Sequence, residues 1–380
     1  MESMEVETMS TESRRTDLSR RPLKLKSNRV WRTYTGGKLI DSWQQKRDAV
    51  DSEFPEEWVA STVKAQNSGR EHIHEGWSQV DLPDSSEGMT LKSLVEADPA
   101  SFLGAAHAAC YQEQLAVLVK VLDSSERLTI QVHPDRKDAM ERFQSRFGKT
   151  EAWYVLGGRQ IDGEQPCIYM GFKPGITKEI WKQLFEKQAI DEMLNALHRV
   201  PINTGDVYLI EGGVPHAIGA GCFLIEIQEP TDLTLRVERT TPRGRKVPDE
   251  ACHQHIGFEA MLDCFKYEAR GLEKTMERYK KKRSVVSAGG SREYELIGEK
   301  DTDRFLMNVL EVSGSYVKKH KDCFHIAIVV QGSGELRWAD QFIPVQQADQ
   351  FFMPAGVTEA TWVSQGEAEL QVVLCFPPRT

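Results

Sequence analysis

The stretch GDVYLIEGGVPH, residues 205–216, runs from a polar turn through an apolar strand into a glycine turn and stops on a histidine. The same order returns in ADQFFMPAGVTE, residues 348–359. Gly213 and Gly356 each stand eight residues after the first position, and His216 and Glu359 stand eleven after it. The copies lie 143 residues apart in β-rich surroundings. An echo at matching punctuation points to one supersecondary unit used twice.

The spacing G-x5-P-x-G-x2-H is the second motif of the cupin superfamily, and both segments resemble it. Glu211 replaces the proline in the first copy. In the second copy Ala348 replaces the first glycine and Glu359 replaces the histidine. In GSYVKKHKDCFHIAIVVQG, residues 314–332, His320, Asp322 and His325 stand where the first cupin motif carries its histidines and glutamate. The resemblance implies small antiparallel barrels that point ligands inward. The expected fold is mainly β: two cupin-type antiparallel β-barrels of the jelly-roll kind, with helical insertions in the first half.

Working outward, residues 1–27 mix arginines with glutamates and lack the apolar core of a signal peptide; a flexible N-terminal arm is expected. Residues 28–270 form the expected metal-binding domain. Within it, helical patterning is expected over about 90–123, interrupted near Pro99, and over 177–199, where Thr177 can cap the first turn. Residues 271–292, with KKKR and SAGG, suggest a linker, or equally a solvated helix end and a turn. Residues 293–380 are again strand-like and form a second, degenerate cupin domain.

Composition removes several function classes. No run of roughly 18 apolar residues is present, so no membrane span is expected. The net charge is −9, which argues against nucleic acid as a partner. Seven scattered cysteines without a CxxC pair suit free thiols in a reducing cytoplasm. Neither a Rossmann nor a P-loop glycine pattern occurs.

The chemistry gathers around LTIQVHPD, residues 128–135. If this is a strand, Gln131 and His133 share a face, and Pro134 ends the ladder just past them. Glu151 opens the strand EAWYVL and His216 closes the glycine turn. Two imidazoles, a carboxylate and an amide oxygen suit Zn²⁺ with open positions for water or substrate; Mn²⁺, Fe²⁺ and Co²⁺ fit by the same ligand argument. His72 with His74, and His253 with His255, are also two apart, but no third ligand suggests itself for either pair. His320, Asp322, His325 and Glu359 are all ligand types as well.

RLTIQVHPD, GKTEAWYVL, GDVYLIEGGVPHAIGAGCFLIEIQ and LRVERTTP together resemble type I phosphomannose isomerase, in its shorter bacterial and archaeal branch. The resemblance runs from about residue 25 to 270, and more faintly to 380. It implies Gln131, His133, Glu151 and His216 as ligands of one zinc per chain. It further implies Arg236, Glu226 and Lys149 as catalytic residues, with Thr129, Arg236 and Lys149 touching substrate. The implied reaction interconverts mannose 6-phosphate and fructose 6-phosphate through a cis-enediol, with Glu226 or a metal-bound water as the base. The second half is implied to hold no metal and to pack against the first. The alternatives are a metal-holding cupin that binds a sugar phosphate without turnover, and an isomerase of another aldose phosphate. The downstream Arg239, Arg243, Arg245 and Lys246 lie either at the cavity mouth or on a solvated loop.

Overall fold

The computed structural model describes residues 16–67, 69–82, 88–320, 322–366 and 368–380. The chain is mainly β, built of four sheets whose paired strands run antiparallel. In the first half a seven-stranded sheet is ordered Lys280–Lys281, Val207–Ile210, Glu151–Gly158, Cys222–Gln228, Leu118–Asp123, Glu56–Val59 and Arg29–Val30. A five-stranded sheet is ordered Leu235–Arg236, Gln131–Val132, His216–Ile218, Cys167–Phe172 and Leu197–Pro201. Trp153, Tyr208 and Leu224 of the larger sheet share a core with Ile168, Met170 and Ile218 of the smaller.

The second half repeats this layering. Its seven-stranded sheet includes His325–Gln331, Gln350–Met353, Leu370–Phe376 and Leu306–Val312, and a four-stranded sheet carries Glu359–Ser364 and Ser333–Trp338. Phe351 and Met353 meet Trp362 and Leu336 in a common core.

The central strands of the two large sheets are buried on both faces. In CFLIEIQ, residues 222–228, Leu224 turns toward the first-half core, whereas Phe223, Ile225 and Ile227 join a cluster with Met307, Ile326, Ile328 and Val373 of the second half. A strand covered on both sides carries apolar residues on both faces, so the polar alternation of a half-exposed strand disappears, and Glu226 and Gln228 are its buried polar exceptions. The second half thus packs against the first, as the resemblance implied.

Several boundaries differ from expectation. Helices occupy Leu91–Ala97, Pro99–Leu103 and Ala105–Tyr111, but Leu118–Asp123 is a central strand. Its apolar run packs Val119 and Val121 to one side and Leu122 to the other, which a helical reading cannot separate from a helix core. In the region expected to be helical over 177–199, helices span Lys178–Lys187 and Ile190–Asn195, and Leu197–Pro201 is a strand. Thr177 Oγ1 accepts the Ile180 N–H at 3.3 Å, the expected cap.

The stretch 271–292 holds the helix Leu272–Tyr279 and two strands. Lys280–Lys281 pairs with Val207 and Tyr208 of the first half, and Ser284–Ser287 pairs with Glu293–Glu295 of the second. Of the expected arm, residues 1–15 lie outside the described residues. From residue 16 on it is anchored: Leu18, Leu23 and Leu25 are buried, and Leu23–Lys24 adds a strand beside Phe351 and Phe352.

Candidate metal centre

Three strands and one tight turn deliver the site. Gln131–Val132 is a two-residue strand, and Pro134 follows His133. Asp135 then caps the helix Arg136–Phe143 by accepting the Asp138 N–H at 3.0 Å. The sequence HPD is thus a candidate ligand, a strand stop and a helix start in three residues. Glu151 heads the strand Glu151–Gly158, and His216 heads His216–Ile218. His216 lies opposite Gln131, which lies opposite Arg236. Directly paired residues share a sheet face, so these three face the same way.

His133, Glu151 and His216 converge in the interior, with candidate ligand atoms all within 4.8 Å of one another. His133 Nε2 is 3.2 Å from Glu151 Oε2, and His216 Nε2 is 3.3 Å from Glu151 Oε1. Each imidazole is oriented from behind: His133 Nδ1–H donates to the Leu233 carbonyl at 2.8 Å, and His216 Nδ1–H donates to the Val214 carbonyl at 3.0 Å. Those bonds leave a lone pair on each Nε2.

Burial, and then the Lys149 charge, push the His133 imidazole down to about 3, so it is neutral. Burial likewise lowers His216. Burial opposes ionisation of Glu151, but the Lys149 ammonium holds its carboxyl well below the usual range. Two imidazole lone pairs therefore face an ionised carboxylate, out of water. The Lys149 ammonium covers part of this set, 2.9 Å from His133 Nε2 and 3.1 Å from Glu151 Oε2. Glu151 Oε1 and His216 Nε2 remain buried without a hydrogen bond. Buried acceptors left facing one another are costly, and a divalent cation is what such a set accommodates. The residues fit a metal.

The centre adjoins a cleft whose lining includes Gln131 together with Thr129, Lys149, Glu226 and Arg236, the residues named for catalysis or substrate contact. The strand Leu118–Asp123 adds Lys120, whose Nζ is 3.2 Å from Glu226 Oε1 and 3.9 Å from Glu56 Oε2. Arg32 Nε pairs with Glu56 at 2.9 Å and its Nη1 with Asp232 at 3.2 Å, while Tyr34 Oη and Trp58 Nε1 also donate to Glu56. Burial resists ionisation of Glu56, yet Arg32 and Lys120 bring it down to about 2. Burial, then the nearby Glu151 charge, raises Glu226 despite Lys120.

Lys120, Glu56, Arg32 and Asp232 went unnoticed in the sequence. Only Lys120 left a signal, a single lysine inside the apolar run VLVKVL. Arg32 and Asp232 are 200 residues apart, and only the topology joins them.

Other expected ligand types do not assemble. Among the described residues, His133, Glu151 and His216 form the only group of three or more such side chains. The rings of His320 and His325 stack at 4.1 Å, but Asp322 and Glu359 do not complete a set with them. His253 ends the helix Asp249–His253, so it shares no strand with His255. Arg239, Arg243 and Arg245 make partly exposed ion pairs with Asp249, Glu126 and Glu53.

A mainly β chain with a buried His–Glu–His group beside a charged cleft has the side chains a metal site would use. Comparison with known proteins is more specific. Residues 60–150 match the family model "Phosphomannose isomerase type I, catalytic domain". The mannose-6-phosphate isomerase of Streptococcus mutans is 34% identical over 264 residues, covering 67% of this chain and 72% of that protein. The crystal structure of the mannose 6-phosphate isomerase from Bacillus subtilis superposes with a TM-score of 0.71 at 21% identity, over 93% of this chain and 99% of that one. A variant of the Salmonella typhimurium phosphomannose isomerase superposes with a TM-score of 0.71 at 15% identity, over 94% and 100% of the two chains. The chain belongs to the type I phosphomannose isomerase family.

Proposed function

We propose that this protein is a zinc-dependent aldose–ketose isomerase that interconverts mannose 6-phosphate and fructose 6-phosphate through a cis-enediol. His133, Glu151 and His216 would hold the ion, with Gln131, opposite His216 in the sheet, as the fourth ligand. The bound zinc would supply Lewis-acid polarisation of the substrate oxygens at C1 and C2.

The chain's own residues account for the rest. Moving a proton between C1 and C2 needs a base beside the reacting carbons, and Glu226 is the carboxylate in the cleft whose burial raises its proton affinity toward that task. Lys120, 3.2 Å away, steadies its ionised form, and Lys149 balances charge beside the centre. Thr129 lines the cleft and contacts the sugar. Arg236 carries the argument furthest. Among the cations lining the cleft, Arg32, Lys120, Arg127 and Lys149 all have carboxylate partners. Among the described residues, Arg236 donates only to the Thr234 and Ala251 carbonyls, at 3.2 and 3.1 Å. A half-buried guanidinium that makes no salt bridge among the described residues is suited to a phosphate or a developing oxyanion.

The layering of each half supports its closure as a jelly-roll barrel, with the ion inside the first. Free cysteines throughout support a reducing, cytoplasmic setting. The observation that carries this reading is the convergence of three lone-pair donors at a cleft that also holds the unpaired Arg236. The test is a coupled assay with mannose 6-phosphate before chelation, after it, and after zinc is restored. Absence of turnover in zinc-loaded protein, or activity indifferent to thorough chelation, would reject it.

A further inference from the structure

One buried carboxylate joins two of the segments that carry the metal centre. Glu229 is fully buried and directly follows the strand Cys222–Gln228. Its Oε1 accepts from Arg136 Nε at 2.6 Å, and its Oε2 accepts from the Thr150 N–H at 3.0 Å. Arg136 lies three residues beyond His133, and Thr150 immediately precedes Glu151. The backbone reinforces the second link: Glu229 N–H donates to the Thr150 carbonyl at 3.1 Å, and Thr231 Oγ1 donates to the Gly148 carbonyl at 2.7 Å. From the second half of the chain, Arg304 Nε lies 3.9 Å from the same Oε1. Glu229 is not among the residues lining the cleft.

We propose that Glu229 is a positioning residue for the metal centre: its carboxylate fixes the His133 segment against the Glu151 segment so that their donor atoms converge before an ion arrives. The proposal rests on the reading of His133, Glu151 and His216 as metal ligands. Glu151 takes a hydrogen bond from Lys149 at Oε2 and none at Oε1 among the described residues, so the place of Oε1 is set largely by the segment that carries Glu151. A chelate held in place loses little freedom on binding, whereas one that must assemble loses affinity; outer partners of this kind are worth roughly 10–100-fold in metal binding. Arg136 and Arg304 balance the charge of Glu229 in the interior, so the clamp is electrostatically complete without contributing an atom to the ion.

Two variants separate span from charge. Glu229→Gln keeps the size but sets an amide NH₂ against either Arg136 or the Thr150 N–H. Glu229→Asp keeps the charge but is one methylene short of reaching both. The full chain, stripped of metal, is titrated with zinc against a chromophoric chelator, with near-ultraviolet circular dichroism confirming native packing. Both variants are expected to bind one zinc per chain about 10–100-fold more weakly than the parent. Parent-like affinity in both, or in Glu229→Asp alone, overturns the proposal. A parent that binds no zinc removes the metal reading and this inference with it, and is recognised without any variant. If the Glu229 variants do not fold, Arg136→Gln at the partly exposed end of the clamp replaces them; it is expected to weaken zinc binding, and unchanged affinity there overturns the proposal.

Discussion

His216 Nε2 and Glu151 Oε1 lie 3.3 Å apart, and neither makes a hydrogen bond among the described residues. The proton on His216 faces the other way, toward the Val214 carbonyl. Two acceptors at this distance in a dry interior define a place for a cation. His216→Ala should therefore lose bound zinc and turnover together. Elemental analysis of the purified variant beside the parent checks this; a variant that keeps stoichiometric zinc would show that the imidazole is not a ligand.

Arg236 should behave in the opposite way. Its side chain contacts backbone carbonyls and the cleft rather than the three-ligand cluster. Arg236→Ala is expected to retain zinc while kcat/KM falls by about 10² or more, the usual loss when a charge-stabilising donor is removed. Normal turnover in this variant would reject its role.

The Lys120–Glu226 pair makes a prediction about pH. Burial and the Glu151 charge raise the Glu226 carboxyl, and Lys120 opposes that rise. If ionised Glu226 is the base, activity falls as pH drops through its titration. Lys120→Met removes the opposing charge, so the carboxyl rises further and the acidic limb of the kcat/KM profile moves to higher pH. A limb that stays in place, or moves lower, would dissociate Glu226 from that limb.

What the sequence disclosed followed from distance along the chain. His133 and Glu151 lie 18 residues apart, and His216 closes a motif with its own glycine signature, so the three side chains that converge were legible. The other wall of the cleft was not. Glu56 and Arg32 come from short strand and loop segments near the start of the chain, and Lys120 sits on a strand whose Leu- and Val-rich run imitates a buried helix because both its faces are covered. Their role depends on which strands are neighbours: Glu226 faces Lys120 across one ladder, and Lys120 faces Trp58 across the next. No local pattern encodes that adjacency. Glu229 was hidden for a related reason, since its partners Arg136 and Arg304 belong to different halves of the chain.

The stacked histidines of the second half provide a stability test away from the metal. Burial holds His320 down to about 4, and burial and then the neighbouring His320 hold His325 well below the ordinary imidazole value. Both are therefore neutral in the folded chain and protonate more readily once it unfolds. With folded values below unfolded ones, the unfolded state takes up more protons as pH falls, so stability is full above the ordinary imidazole value of about 6.5 and declines progressively toward about pH 4. His325→Phe keeps an aromatic ring beside Phe376, which stacks on His325 at 5.2 Å, and removes one titrating group. Urea unfolding of metal-free protein at several pH values should show a shallower loss of stability toward acid in the variant than in the parent. Parallel curves would mean that His325 does not titrate differently between the folded and unfolded chain.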